Sequence, residues 1–281
     1  MDDDGAPGIE LCWGTIERAG LAELVDLASE AGFDSVTVTP DMFGRLGDRE
    51  ARSLRRRLAD GTVVVNVIDA LMGGLPGSPD SSDVDARFRR SFEYRAAECL
   101  DVAVQLDAPI LNVAHFLGSP VETALLADAI GEVAAEARAL DRRVTVEFIP
   151  GTGVPDLQTA VDIVVAIAAA NVSIMLDTWH HARAGGTVEQ LRELPPRMVG
   201  GVQVSDRIEP PPGTAYRPMA DRLLPGAGEL PLADILSAVL ANNPDIPVGV
   251  EVFSSELRSG PPADAATRAA EAIRAVLRAA R

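Results

Sequence analysis

Lysine is absent from this sequence, and all 25 of its basic residues are arginine. This absence excludes catalysis through a Schiff base on a lysine amine. Cysteine is scarce, since the chain contains Cys12 and Cys99 alone and neither belongs to a CxxC pair. Neither a disulfide framework nor a structural zinc site built on cysteines is therefore expected.

Positive charge and long apolar runs are also scarce. The net charge of -17 and the pI of about 4.5 argue against a nucleic-acid partner, because phosphate contacts require a basic surface. The acidic start, MDDDGAPGIE, lacks the basic and apolar segments of a signal peptide. No apolar run approaches the ~20 residues that a membrane helix requires. We therefore expect a cytoplasmic protein that binds neither nucleic acid nor membrane.

Short apolar runs alternate with amphipathic stretches along the whole chain. The apolar runs predict strands at residues 9–13, 35–39, 63–68, 110–115, 144–148, 173–177, 200–205 and 248–252. The amphipathic stretches predict helices at 16–31, 48–59, 85–106, 121–140, 156–170, 187–194, 232–240 and 263–279. Strands that alternate with helices indicate parallel βαβ units, and this many units indicate a closed barrel. We predict an α/β fold, a single (β/α)8 TIM barrel, as one domain over residues 1–281.

Two long segments without periodicity, residues 72–84 and 207–229, follow the third and seventh predicted strands. Both begin at the carboxyl end of a strand, where the active sites of such barrels are built. Loops of this length are usually functional or disordered. We expect both to act as functional lids.

Polar side chains interrupt four of the apolar strands, near the point where each strand ends. They are Glu147, Asp177, Gln203 and Glu251. Burying an unpaired carboxylate costs several kcal/mol, so these groups need partners. A lone glutamate in a strand more often faces solvent or pairs with an arginine, but four such residues on consecutive strands favour a shared divalent cation. Oxygen ligands suit Mn²⁺ or Mg²⁺, and a neighbouring imidazole would also admit Co²⁺, Zn²⁺ or Fe²⁺.

The chain has three histidines, His115, His180 and His181. His180 comes three residues after Asp177, so we expect it to contact substrate or to lie beside the metal. His115 ends the fourth strand and is either a core histidine or a substrate contact. We expect His181 to begin a helix or to lie at the surface.

Arg222 and Trp179 are further candidates for substrate contact. Arg222 lies in the loop after strand seven and would bind anionic or hydroxyl groups, although a solvated ion pair is the alternative. Trp179 would line the pocket. The glycines at 226–228 follow this arginine but lack the strand–turn–helix context of a phosphate-binding loop.

These residues resemble the sugar phosphate isomerase/epimerase superfamily, the xylose isomerase-like TIM barrels. The resemblance spans nearly the whole chain and is carried by the pieces Glu147, Asp177-Thr-Trp-His180, Gln203-Val-Ser-Asp206, Arg222-Leu-Leu-Pro-Gly-Ala-Gly and Glu251. It implies one divalent metal, often Mn²⁺, held by a Glu, Asp, His and Glu set, and a substrate contact from the histidine that follows the aspartate.

The sequence departs from this pattern at Gln203, where many members carry histidine. A glutamine offers a neutral carbonyl oxygen, so we expect a metal site of oxygen ligands that favours Mn²⁺, with Mg²⁺ or Co²⁺ as alternatives. Endonuclease IV, another member of the superfamily, is disfavoured because three histidines cannot supply its trinuclear zinc site.

The resemblance and the polar strand ends together predict a metal-dependent isomerase or epimerase of a small hydroxy-ketone in carbohydrate metabolism. The metal ligands would be Glu147, Asp177, Gln203 and Glu251. Glu147 and Glu251 would also exchange the proton through a metal-stabilised enediolate. Substrate contacts would come from His115, Trp179, His180 and Arg222. A dehydratase of a cyclic keto-polyol and a catalytically inert binding subunit stay open as alternatives, as does assembly into a homodimer or homotetramer.

Overall fold

The computed structural model describes residues 7–281, in which eight strands close into a barrel in the order β1 to β8. The strands are β1 Ile9–Cys12, β2 Ser35–Val38, β3 Val64–Leu71, β4 Ile110–Ala114, β5 Arg143–Glu147, β6 Val172–Asp177, β7 Val199–Val204 and β8 Val248–Val250. The prediction of a single (β/α)8 barrel is confirmed.

Helices connect the strands. They are α1 Leu21–Ala31, α2 Pro40–Gly44, α3 Asp48–Asp60, α4 Arg89–Glu93, α5 Ala96–Gln105, α6 Thr123–Ala139, α7 Leu157–Ile167, α8 Thr178–Arg183, α9 Val188–Arg192, α10 Leu232–Asn242, α11 Ser255–Ser259 and α12 Pro262–Ala279. Within residues 7–281, no helix combines the length and the hydropathy that crossing a bilayer would require.

Two predicted helices are wrong at their boundaries. The stretch 85–106 forms two helices rather than one, because the Arg95 backbone N–H is capped by the Glu98 carboxylate at 2.8 Å and α5 starts afresh at Ala96. The stretch 16–31 begins as a 3₁₀ turn over Trp13–Ile16, and its α-helix starts only after Gly20.

The chain divides into two compact units: a central unit of Thr37–Met175, and a terminal unit of the residues up to Val36 together with Leu176–Arg281. In the central unit, parallel pairing joins β3 to β4, β4 to β5, and β5 to β6. The register sets Asp69 opposite Asn112, and Asn112 opposite Thr145. Because alternate residues of a strand share a face, the carboxylate of Glu147 lies on the same side as Thr145.

In the terminal unit, β8 pairs with β1 on one side and with β7 on the other. The strand ends at Val250, two residues earlier than predicted, because the Thr15 side chain takes over its hydrogen bonds. The Thr15 hydroxyl donates to the Val250 carbonyl at 2.8 Å and accepts from the Val252 N–H at 3.0 Å. This clamp holds the backbone on both sides of Glu251, which is buried.

The loop after β7 is folded around the buried carboxylate of Asp206. Its Oδ2 atom accepts from the backbone N–H groups of Gly226 and Gly228, at 3.0 and 2.9 Å, and its Oδ1 atom accepts from those of Arg207 and Leu230, at 2.8 and 3.0 Å. A Cβ atom at position 228 would overlap the Asp206 carboxylate, so glycine is required there. The backbone N–H groups of the Pro-Gly-Ala-Gly turn therefore bind a carboxylate of the same chain, that of Asp206.

We expect Asp206→Asn to lower the free energy of unfolding by about 1–3 kcal/mol, because an amide N–H₂ would face backbone donors that lose their acceptor. Urea denaturation measures the change. The matched control is Asp245→Asn, which removes an exposed ion pair with Arg197 and should cost less than about 1 kcal/mol. Equal losses in the two variants would contradict this role for Asp206.

Candidate active site

Asp177, the last residue of β6, caps the helix that follows it. Its Oδ1 atom accepts from the backbone N–H groups of Trp179 at 2.7 Å and of His180 at 3.1 Å. Side-chain oxygens at this position satisfy N–H groups that have no partner inside the helix. The short sequence Asp-Thr-Trp-His thus places the side chain of His180 beside the carboxylate that starts its own helix.

Arg222 is buried and joins two of the predicted metal ligands. Its Nη1 atom donates to Asp177 Oδ2 at 2.7 Å and to Glu251 Oε2 at 3.2 Å. Its Nη2 atom donates to the Pro218 carbonyl at 2.8 Å. The guanidinium therefore ties the ends of β6 and β8 to the loop after β7.

Asp177 and Arg222 hold each other ionised. Burial raises the pKa of Asp177, but the charges of Arg222 and His180 lower it further, so that the net pKa lies below its ordinary range. Burial lowers the pKa of Arg222, while Asp177 and Glu251 raise it, and the net pKa is raised. Both ions lose their hydration when they are buried, and the attraction between them compensates for this loss.

Aromatic rings flank the guanidinium of Arg222. Its carbon lies 4.9 Å from the centre of the Phe253 ring and 5.9 Å from that of Trp179. Phe253 in turn meets Trp13 edge to face at 5.4 Å. The buried indole N–H of Trp179 has no hydrogen-bond acceptor within the part of the chain that the structure describes.

Gln203 lies beside Glu251 in the terminal unit. Its register partner on β8 is Gly249, and the Glu251 N–H donates to the Val204 carbonyl at 3.1 Å. The Gln203 Nε2 atom is 3.4 Å from Glu251 Oε1. Both side chains are buried, so an amide and a carboxylate are held together at neighbouring strand ends.

His180 is buried and has polar groups at both ring nitrogens. Its Nδ1 atom makes a short hydrogen bond with the hydroxyl of Tyr216, which the loop after β7 supplies. Its Nε2 atom lies 3.6 Å from Asp177 Oδ2 and 3.5 Å from Arg222 Nη2. No sequence pattern points to Tyr216, because only the folded loop brings it to the histidine.

Glu147, the last residue of β5 in the central unit, belongs to a second buried polar group. Asn112 Nδ2 donates to Glu147 Oε2 and to Asp69 Oδ1, both at 2.7 Å. Asn112 Oδ1 accepts from the Thr145 hydroxyl at 2.9 Å. Asn112 and Asp69 were not predicted as site residues, although each is a polar residue inside an apolar strand and could have been noticed for that reason.

The geometry does not support the expected substrate contact of His115, because the backbone occupies both of its ring nitrogens. His115 Nδ1 accepts from the Gly153 N–H at 3.0 Å, so Nε2 carries the proton and donates to the Pro76 carbonyl at 2.9 Å. Burial lowers the pKa of His115. The residue is a core histidine that links the loops after β3 and β5.

His181 lies near the start of a helix, as one of the two expectations had it, but the alternative of a surface position is wrong. It belongs to α8, its side chain is buried, and its Nε2 atom lies 3.1 Å from the Thr187 carbonyl. Burial lowers the pKa of His181. The helix turns His180 and His181 into different surroundings, and both of these are closed to bulk water.

A family model for xylose isomerase-like TIM barrels matches residues 25–278. The chain belongs to this family. The matched range contains the strand ends that carry Glu147, Asp177, Gln203 and Glu251.

Two curated relatives of this xylose isomerase-like barrel are named as enzymes. A 3-dehydroshikimate dehydratase of Pseudomonas aeruginosa is 27% identical over 254 residues, which cover 88% of this chain and 38% of that protein. The chain thus spans well under half of that relative's length. An inosose isomerase of Bacillus velezensis is 22% identical over 258 residues, which cover 88% of this chain and 90% of that protein.

Among solved structures, the IolI protein with a bound zinc atom superposes with a TM-score of 0.81. It is 18% identical, and the superposition covers 96% of this chain and 98% of that one. At this identity the likeness shows the shared barrel fold. The relatives place this chain in a family of enzymes.

We expect Arg222→Met to lower the free energy of unfolding by about 3–5 kcal/mol, because two buried carboxylates lose their counter-ion. Urea denaturation at neutral pH measures the loss. Arg192→Met, which removes an exposed pair with Glu189, is the control and should cost less than about 1 kcal/mol. A similar small loss in both variants would show that Arg222 does not stabilise the carboxylates.

The buried histidines predict a loss of stability in acid. A pKa that is lower in the folded than in the unfolded protein contributes stability above the unfolded pKa of about 6.5, and this contribution is lost as the pH falls below that value. We expect the free energy of unfolding to fall between about pH 7.5 and pH 5.5, and to fall less in His115→Gln. An equal fall in both proteins would argue against a neutral, buried His115.

Proposed function

We propose that the protein is a divalent-metal-dependent isomerase or epimerase of a small hydroxy-ketone. The observation that carries the proposal is that buried carboxylates stand at the carboxyl ends of β5, β6 and β8: Glu147 ends β5, and Asp177 and Glu251 meet at one guanidinium. Acidic side chains that are buried in this number at the carboxyl ends of barrel strands are typical of a catalytic centre.

The donor groups of the terminal unit fit a metal ion. Asp177 Oδ2 and His180 Nε2 are 3.6 Å apart, and two ligand atoms at ~2.1 Å from one ion lie no more than about 4 Å apart. Each carboxylate oxygen has two lone pairs, so Asp177 Oδ2 can accept from Arg222 and still bind a cation. The amide oxygen of Gln203 would add a neutral ligand beside Glu251.

Glu147 would complete the set from the central unit. Its register partner is Met175, and Asp177 follows two residues later on the same strand. Glu147, Asp177 and His180 form a group of buried residues that could hold a metal ion. We propose Glu147, Asp177, Gln203 and Glu251 as ligands, with Mn²⁺ as the ion. The zinc atom of the IolI structure supports a divalent metal, and an imidazole ligand from His180 would admit Zn²⁺ or Co²⁺.

The bound cation would polarise the substrate carbonyl and make the neighbouring C–H more acidic. The side chains of this chain would then move the proton: Glu147 takes it from one face of the substrate, and Glu251 returns a proton to the adjacent carbon or to the other face. Arg222 holds Glu251 in place during the exchange. His180 and the N–H of Trp179 would contact substrate oxygens, which supplies the acceptor that the indole lacks within the described residues.

A dehydratase acting on a cyclic keto-polyol is the second candidate. One relative, 27% identical, is a 3-dehydroshikimate dehydratase. The reaction would share the first proton abstraction by Glu147. A β-hydroxyl would then leave as water, taking up the proton that Glu147 removed, so the same site serves both reactions.

We expect the protein to bind one Mn²⁺ and, with it, to convert a member of a panel of keto-sugars, inososes and dehydroshikimate. Glu147→Gln and Glu251→Gln should each lower kcat by about 10²–10⁴-fold, because each removes a group that transfers the proton. Glu256→Gln, which alters an exposed acidic residue that pairs with Arg268, is the control and should leave kcat unchanged.

Isotope and product analysis separate the two candidates. Deuterium uptake from D₂O at the carbon next to the carbonyl, without loss of water, supports the isomerase or epimerase. An unsaturated product that absorbs in the near ultraviolet supports the dehydratase. Full activity in Glu147→Gln, or activity that survives complete removal of metal by a chelator, would overturn the proposed mechanism.

A further inference from the structure

Asn112 lies at the centre of a buried polar group of which the proposed reaction uses Glu147 alone. It is fully buried on β4, and its register partners are Asp69 on β3 and Thr145 on β5. Side chains at paired positions of adjacent parallel strands point to the same face of the sheet. Glu147 follows Thr145 by two residues on β5 and shares its face. The amide of Asn112 therefore has a carboxylate on each side, Asp69 on β3 and Glu147 on β5.

The hydrogen bonds of Asn112 determine which way its amide points. Two carboxylates, which only accept, face one end of the amide and assign it as Nδ2, so the other end is Oδ1, which accepts from the Thr145 hydroxyl at 2.9 Å. The opposite atom, Nδ2, then has two hydrogens, and it donates one to Glu147 and one to Asp69 at 2.7 Å each. A rotation of the amide by half a turn would put Oδ1 against two carboxylates and is disfavoured by their charge.

This arrangement differs in chemistry from the one around Asp177. Arg222 neutralises the carboxylates that it holds, whereas an amide orients a carboxylate without cancelling its charge. A carboxylate that must bind a cation or take up a proton benefits from a fixed orientation. Glu147 is proposed to do both.

We propose that Asn112 is a positioning residue that holds the carboxylate of Glu147 in its working orientation, with Thr145 and Asp69 fixing the amide. The inference rests on the proposed function for the use made of Glu147, but the positioning itself can be observed without metal or substrate. Asp69 thereby joins the site as the second carboxylate that the amide holds.

The experiment compares Asn112→Leu, Thr145→Val and the wild-type protein. Calorimetric titration with Mn²⁺ should show affinity weakened by about 10–100-fold in Asn112→Leu, the usual effect of removing a group that orients a metal ligand. Thr145→Val removes one hydrogen bond from the amide and should weaken Mn²⁺ affinity by about fivefold. Metal-free crystal structures should show the Glu147 carboxylate displaced in Asn112→Leu.

Asn243→Leu is the matched control, because Asn243 is also buried but binds the Val199 carbonyl at 3.0 Å, at the start of β7. It should lose stability while keeping wild-type affinity for Mn²⁺ and an unmoved Glu147. An unmoved Glu147 with unchanged Mn²⁺ affinity in Asn112→Leu would overturn the positioning role. If that variant does not fold, Thr145→Val decides by the same two measurements.

Failure of the proposed function would look different. If the wild-type protein binds no Mn²⁺, the metal site is wrong, and the position of Glu147 in the metal-free crystals alone decides the role of Asn112. Displacement of Glu147 in the Asn112→Leu crystal then supports positioning, and an unchanged carboxylate refutes it.

Discussion

The buried ion pair of Asp177 with Arg222 is the interaction on which the terminal unit depends. Arg222 is brought in by a loop more than forty residues along the chain from Asp177, and its Nη1 atom contacts both Asp177 and Glu251. Separating these charges would leave buried ions without partners, which is strongly unfavourable. The pair therefore commits the loop after β7 to the ends of β6 and β8, and with it the Tyr216 hydroxyl that contacts His180.

The buried carboxylate of Asp206 fixes the path of the loop that carries Arg222. Asp206 accepts four backbone hydrogen bonds from its own loop and so defines where the segment before and after Arg222 must run. Neighbouring carboxylates on β6 and β7 thus do different work. Asp177 is a charged residue of the proposed site. Asp206 holds the loop backbone in the conformation that brings Arg222, the counter-ion of Asp177, to that site.

Two kinds of partner hold the acidic residues at the strand ends. In the terminal unit a guanidinium cancels charge and ties the carboxylates together, while in the central unit the amide of Asn112 orients Glu147 and Asp69. A catalyst that binds a cation needs carboxylates that are rigid but still negative. In the proposed reaction each arrangement holds one of the two glutamates that serve both as metal ligand and as proton carrier.

The barrel, and the positions at which polar groups interrupt its strands, could be predicted from the amino-acid pattern. Alternating periods of two and 3.6 residues are local properties, so they predict the strands, and eight repeats admit few other architectures. Which of the polar residues meet was decided by tertiary structure alone. Local patterns do not reveal the partners of Arg222 or the hydrogen bonds between the backbone and both ring nitrogens of His115. Nor do they show that the Asn112 amide lies between Asp69 and Glu147. Those contacts arise between residues far apart in the chain, where strand register and a folded loop bring them within hydrogen-bond distance.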